Sequence, residues 1–151
     1  MLKELLEKNR VEFYDSFDNW QDAIRSCCHS LIADGSITEK YAEAIIDNVL
    51  EYGPYIVITD DLAIPHTKVN AQGVRSNGIS FTKVAKPVEF EPGNPKKSAR
   101  LIFTLAANDM DGHYDNMERL SEMLLNEEAL RGLQEADDLA SVKLLSKRLG
   151  I

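Results

Sequence analysis

The sequence predicts an α/β fold, with about four to five strands between helical layers. Three observations lead there. Leu101-Ile102-Phe103-Thr104-Leu105-Ala106-Ala107 is nearly continuous apolar, as a strand must be when helices cover both its faces. Helix-period apolar stripes stand on both sides of the short β-branched segments in sequence, from Phe17 to Tyr52 before them and from Met117 to Leu124 after them. The chain has 151 residues, a length that suits one core, so residues 1–151 are read as a single domain.

Taken in order, Leu2, Leu5 and Leu6 suggest a short amphipathic helix, and Glu12 to Phe17 is either a linker or a first strand. Asp18-Asn19-Trp20-Gln21 begins a helix, with an acceptor at the N-cap and Gln three residues later. Phe17, Trp20, Ile24, Cys27 and Leu31 form its buried face, with Trp20 as a core anchor, and Asp34-Gly35 ends it. Ser36-Ile37-Thr38-Glu39 reads as a capping box for the next helix, with Tyr41, Ile45, Val49 and Tyr52 as its buried stripe and Gly53-Pro54 as its stop. Tyr55 to Thr59 reads as a strand, Asp60-Asp61 as a turn and Leu62 to Ile64 as a second short strand. Val69 to Asn77 reads as a loop, Gly78 to Val84 as a strand, and the proline-rich stretch Pro87 to Lys97 as a surface connection. After the apolar strand, Asp111 or Gly112 opens a helix through Asn126 that buries Met117, Leu120 and Leu124. Leu130-Leu133 and Leu139-Val142-Leu145-Leu149 supply one or two closing helices.

Composition narrows the function. Apolar residues make up 44% and charged residues 28%, as in ordinary soluble domains. The net charge of −8 without a basic stripe argues against nucleic acid and anionic membranes as partners. Met1 to Phe13 has no signal-peptide apolar region, and no stretch approaches the ~20 apolar residues of a spanning helix. Cys27 and Cys28 are neighbours, so on a helix they point apart and form neither a mutual disulfide nor a metal knuckle. They are read as reduced thiols of a cytoplasmic protein, one of them buried.

Two histidines carry the chemistry. In Leu62-Ala63-Ile64-Pro65-His66 a short apolar run ends in proline, which fixes its own φ, has no N–H to donate, and so favours a strand end. His66 then stands where a strand gives way to the polar loop Thr67-Lys68-Val69-Asn70. His113 falls in the first turn of the helix after the apolar strand, in phase with Met117, Leu120 and Leu124. In open α/β sheets, sites gather at strand ends and helix N-termini, where free N–H groups and the helix dipole favour an anion. His66 and His113 are therefore expected to face one shallow site that admits a phosphoryl group. A neutral imidazole is a nucleophile near physiological pH, with its pKa near ~6.5, and the phosphoramidate it forms is labile enough to pass the group on. His29 lies off the helical stripe and is read as exposed and incidental. Asp109-Met110-Asp111-Gly112 imitates part of a calcium loop, but Ala107 would hold the first ligand position and a strand precedes it, so calcium is rejected. The three histidines are too widely spaced for zinc, and no glycine-rich phosphate loop or GxSxG is present. No cofactor or metal is expected.

Trp20-Gln21-Asp22-Ala23-Ile24-Arg25, then Gly53-Pro54-Tyr55-Ile56-Val57-Ile58, then Leu62-Ala63-Ile64-Pro65-His66, in this order, resemble the EIIA components of the bacterial sugar phosphotransferase system, mannitol/fructose class (type 2). The Gly-Pro-Tyr-Ile-Val-Ile segment most resembles the ascorbate-type members. The resemblance spans roughly residues 1 to 148 and implies a three-layer α/β/α sandwich with a mixed central sheet. It implies that His66 accepts a phosphoryl group from HPr and passes it to the cognate EIIB, with the membrane component EIIC coupling it to sugar uptake, here of ascorbate. It also implies that His113 orients or stabilises the phosphate. A homodimer is compatible with it. Where mannitol-type members carry an arginine, this chain has Leu50 beside Glu51 and Tyr52. Phosphate stabilisation then falls to His113, backbone N–H groups, or Lys68 or Arg75 in the following loop. The acidic chain suits an HPr with basic residues near its own histidine, and the rim of the site is expected to be apolar with Asp60, Asp61, Asp109 and Asp111 nearby. The alternative function is a regulatory module, phosphorylated at His66 and read by a partner without sugar transfer. A non-enzymatic binding domain with a structural His66 is the third.

Overall fold

The computed structural model describes all residues, 1–151. In chain order it contains α1 (Leu2–Glu7), β1 (Val11–Tyr14), α2 (Trp20–Cys27), α3 (His29–Ala33), α4 (Glu39–Tyr52), β2 (Val57–Thr59) and β3 (Asp61–Ala63). There follow β4 (Gly78–Glu89), a 3₁₀ turn, β5 (Ser98–Ala106), α5 (Met110–Leu125), α6 (Glu127–Glu135) and α7 (Leu139–Leu149). The five strands make one sheet in the order β1-β4-β5-β3-β2. β1 runs parallel to β4 and β3 parallel to β5, while β4–β5 and β2–β3 are antiparallel. This is the layered α/β arrangement that the sequence predicts, with the mixed sheet that the resemblance implies.

The apolar run of β5 shows why three layers form. Leu101, Phe103 and Leu105 pack with α1, α5, α6 and α7 on one face. Ile102 and Ala106 pack with α2, α3 and α4 on the other. Period-two geometry splits one continuous run between two cores. Trp20 is buried in the second of these, as expected of a core anchor.

Several local expectations need correction. The helix expected from Asp18 to Gly35 is two helices, broken at Cys28, and the break leaves both thiols buried rather than one. Burial pushes the Cys27 thiol up to about 12, and Cys28 is raised for the same reason. The α2 cap is Asn19, whose side chain accepts from the Asp22 N–H at 2.8 Å. The capping box before α4 does not form. Ser36 Oγ donates to Asp34 at 2.6 Å and accepts from the buried Arg10 at 2.9 Å, so it is unavailable to α4. Thr38 is the N-cap instead, with its buried hydroxyl unpartnered. Tyr52 is exposed rather than buried.

β4 overruns its expected end. Its pairing shifts between Lys83 and Val88, and the looped-out Ala85, Lys86 and Pro87 are exposed. Pro87 sits in this bulge, where no ladder N–H is required. Lys83, next to the bulge, turns inward and donates to the carbonyls of Leu133, Gln134 and Ala136 at 3.1, 2.7 and 2.7 Å. It satisfies carbonyls that the end of α6 leaves open. No helix is long and apolar enough to cross a membrane.

Candidate functional site

Parallel pairing of β3 with β5 decides where the site lies. Ala63 pairs with Ile102, and beyond the strand the Leu105 N–H donates to the Pro65 carbonyl at 3.0 Å. Both strands therefore end on the same side of the sheet. The chain after β3 delivers His66 there, and the chain after β5 delivers α5 and His113. The two histidines, far apart in sequence, line one open cavity of about 590 Å³ with Asn48, Tyr52, Tyr55, Thr67, Lys68, Val69 and Met110.

His66 is half-buried, and its Nδ1 lies 2.5 Å from the carbonyl oxygen of Ile64. A carbonyl only accepts, so Nδ1 carries the proton and Nε2 keeps its lone pair. The Tyr55 ring meets the imidazole edge-on, with centroids 5.4 Å apart. The Tyr55 hydroxyl donates to the His66 carbonyl. Burial raises the Tyr55 hydroxyl above the ordinary phenol range, so it remains a donor. On the other side, the Thr67 N–H donates to the Tyr41 hydroxyl at 3.2 Å, and that hydroxyl donates to the Leu105 carbonyl at 2.6 Å. Asn48 donates to Thr67 Oγ1 at 2.5 Å, and the Asn70 N–H donates to the Ala107 carbonyl at 2.7 Å.

His113 sits in the first turn of α5, half-buried, with the Tyr114 ring 6.0 Å away. Asp109 caps the helix by accepting from the Gly112 N–H at 2.6 Å. Met110 and Asp111 open the helix, and their N–H groups have no partner within it. The head of α5 is locked to the loop before β4. Asn77 accepts from the Asn108 N–H at 2.8 Å, and a Cβ on Gly112 would stand 1.9 Å from the Asn77 amide nitrogen. A side chain there would force the Asn77 amide to move from its place on the Asn108 N–H.

The other expected contributors divide. Lys68 lines the cavity and is its only Lys or Arg, whereas Arg75 is exposed and does not line it. Asp61 lies at the opposite end of β3, paired with Ala99 at the start of β5, and its carboxylate is held by the Arg100 guanidinium and N–H. Asp60 and Asp61 thus do not belong to the rim, since Asp61 opens β3, Asp60 stands just before it, and His66 follows its end. Asp109 and Asp111 do sit beside the site, at the head of α5. The expected apolar rim is present only in part: Tyr52 and Met110 are exposed at the cavity, among polar Asn48, Thr67 and Lys68, and Tyr114 is exposed beside His113. His29 is exposed, as expected, but not idle: its Nδ1 lies 3.1 Å from Glu12. Sequence reasoning missed Tyr41, Tyr55, Asn48 and Tyr52 as site residues. The available signal was their grouping on and just after one helix, with Asn48 and Tyr52 one turn apart.

Comparison with known proteins agrees with this architecture. Residues 4–147 match the model of the phosphoenolpyruvate-dependent sugar phosphotransferase system EIIA 2 family. The chain is 33% identical over 135 residues to the mannitol-specific cryptic phosphotransferase enzyme IIA component of Escherichia coli, covering 89% of this chain and 90% of that protein. It is 33% identical over 113 residues to the ascorbate-specific PTS system EIIA component of Salmonella typhimurium, covering 74% of this chain and 71% of that one. The solution structure of the Escherichia coli mannitol-specific cryptic enzyme IIA superposes with a TM-score of 0.84, at 31% identity over 97% of this chain and 98% of the other.

Proposed function

This chain belongs to the EIIA 2 family of the phosphoenolpyruvate-dependent sugar phosphotransferase system, and from that premise we propose that it is a cytoplasmic phosphocarrier acting through His66. It takes a phosphoryl group from HPr and passes it to a cysteine of its cognate EIIB, which serves uptake through EIIC. The single observation that carries this reading is the meeting of His66 and His113 in one open cavity, with His66 Nδ1 engaged by the Ile64 carbonyl.

The chemistry follows from that geometry. Nε2 attacks phosphorus, the new N–P bond forms as the donor's N–P bond breaks, and the electron pair returns to the donor nitrogen. The Nδ1–H···O=C bond steadies the positive charge that the ring acquires. His113, Lys68 and the open N–H groups of Met110 and Asp111 supply donors for the equatorial oxygens. In the second step a thiolate attacks phosphorus and His66 leaves as the neutral imidazole. Exposed Tyr52, Met110 and Tyr114 make a docking rim for partners that bind and leave quickly.

The proposed substrate path is that of ascorbate. Its support is the likeness to ascorbate-specific relatives, the Gly53-Pro54-Tyr55 segment and Leu50 at the place of the mannitol-type arginine. Mass spectrometry after incubation with phosphoenolpyruvate, enzyme I and HPr tests the carrier role. Wild type gains one acid-labile phosphoryl group and His66→Ala gains none; no gain by wild type, where a known EIIA is phosphorylated, overturns it. Adding candidate EIIB proteins to the phosphorylated chain then identifies the acceptor. Loss of the label only to a regulator would make the chain a regulatory module.

A further inference from the structure

The polar groups of a single peptide unit, His66–Thr67, are both held by tyrosine hydroxyls. The Tyr55 hydroxyl donates to the His66 carbonyl, and the Tyr41 hydroxyl accepts from the Thr67 N–H at 3.2 Å. The two tyrosines reach this peptide from opposite ends of α4, Tyr41 in its first turn and Tyr55 just beyond its last. The Tyr41 hydroxyl makes a second bond. Tyr41 gives its one proton to the Leu105 carbonyl of β5 at 2.6 Å, so its remaining role toward Thr67 is that of acceptor. Tyr41 is fully buried and Tyr55 half-buried.

We propose that Tyr41 and Tyr55 are positioning residues which clamp the His66–Thr67 peptide plane and so hold the His66 imidazole in one tautomer with Nε2 free. The link to chemistry is short. Fixing the peptide plane anchors the His66 backbone, from which the ring reaches back to the Ile64 carbonyl, with Nδ1 at 2.5 Å. The Tyr55 ring adds an edge contact that limits rotation of the imidazole. With the clamp in place the nucleophilic nitrogen is chosen before the donor arrives. Without it the ring samples both tautomers and several rotamers, and part of each encounter is wasted. The clamp also ties the site to both neighbours of the loop, the helix α4 and the strand β5.

This inference rests on the carrier reading, and its test separates the two. The variants are Tyr55→Phe, Tyr55→Ala and Tyr41→Phe, each checked for folding by circular dichroism. The first readout needs no phosphoryl transfer: ¹⁵N chemical shifts of the His66 ring near pH 8, which report the tautomer. Wild type shows one tautomer with the proton on Nδ1, and Tyr55→Ala shows a mixture. The second readout is phosphoryl uptake against HPr concentration. The maximal rate falls ~10- to 100-fold in Tyr55→Ala, and less in Tyr55→Phe, which keeps the ring. The half-saturating HPr concentration stays put, because the docking rim is untouched. An unchanged tautomer with an unchanged maximal rate in folded Tyr55→Ala overturns the clamp and leaves the carrier role standing. A change confined to half-saturation makes Tyr55 a docking residue and also overturns it. Failure of wild type to take up phosphoryl overturns the carrier reading, while the tautomer shift still decides whether the clamp exists.

Discussion

At the scale of single residues, the two histidines have the same side chain but different settings. His66 is fixed through Nδ1 by a carbonyl, which leaves one nitrogen for bond making. No side-chain hydrogen bond restrains His113, and it stands at the open end of a helix beside N–H groups without partners, a place suited to an anion. On the proposed carrier reading the roles are therefore unequal: His66 forms the bond and His113 attends the charge. His113→Ala is expected to slow phosphoryl uptake ~10²- to 10³-fold, about 3–4 kcal/mol of barrier, as loss of an oxyanion donor does. Stopped quenching of the reaction measures it, and wild-type kinetics in His113→Ala would return that side chain to a packing role. Lys68→Ala is expected to cost less, ~10-fold, because an exposed ammonium is partly screened by water and salt. Position was legible for both histidines. Pro65 marks a strand end and the apolar phase marks His113 as inward, and each needs only local rules. The tyrosine clamp was not legible, because it joins Tyr41, Tyr55, His66 and Leu105 through the fold and no short spacing betrays it.

At the scale of elements, the head of α5 carries the most specific constraint. Helix propensity favours Ala over Gly by ~1 kcal/mol, so Gly112 looks like a weak point in the sequence. The structure gives its reason: a Cβ there would stand 1.9 Å from the Asn77 amide. Gly112→Ala is therefore expected to lower the melting temperature and slow uptake together, despite the better propensity. Asn77→Ala in the same chain relieves the clash, and the double variant should recover melting temperature over Gly112→Ala alone. Additive losses in calorimetry would mean that Asn77 and Gly112 do not share this contact. The same element shows the limits of pattern reading. Its existence and inward face follow from Met117, Leu120 and Leu124, but its cap is Asp109 rather than Asp111 or Gly112, because several acidic and small residues compete within one turn. β4 teaches the converse lesson. Pro87 reads as a strand breaker, yet a bulge takes it out of the ladder and the strand resumes at Val88. Bulges depend on the partner strand, which a single segment does not reveal.

At the scale of the whole molecule, charge acts in two ways, and both are measurable. Within the fold, Glu4 on α1 is bonded to Arg119 on α5 and to Lys8. The Arg119 guanidinium, first, and Lys8 hold the Glu4 carboxyl down from the usual 4.5 to about 2. A carboxylate depressed on folding contributes stability that is complete above its unfolded value and lost as pH falls through its folded one. Glu4→Gln should therefore lower the melting temperature near neutrality, and the gap should close between about pH 4.5 and about pH 2. A gap independent of pH would mean that the pair does not contribute through charge. Outside the fold, the net charge of −8 sets a far field that would draw the proposed basic donor, whereas in the proposed transfer the cavity offers Lys68 and the α5 N-terminus to the phosphoryl group. The far field is screened within ~10 Å at 0.1 M salt, while contacts inside a docked complex are screened much less. Raising salt from ~0.05 to ~0.5 M should therefore cut the second-order rate of uptake from HPr several-fold and leave the saturated rate nearly unchanged. If the saturated rate fell and the second-order rate did not, the charge that matters would lie at the phosphoryl group, and the acidic surface would have no part in the encounter.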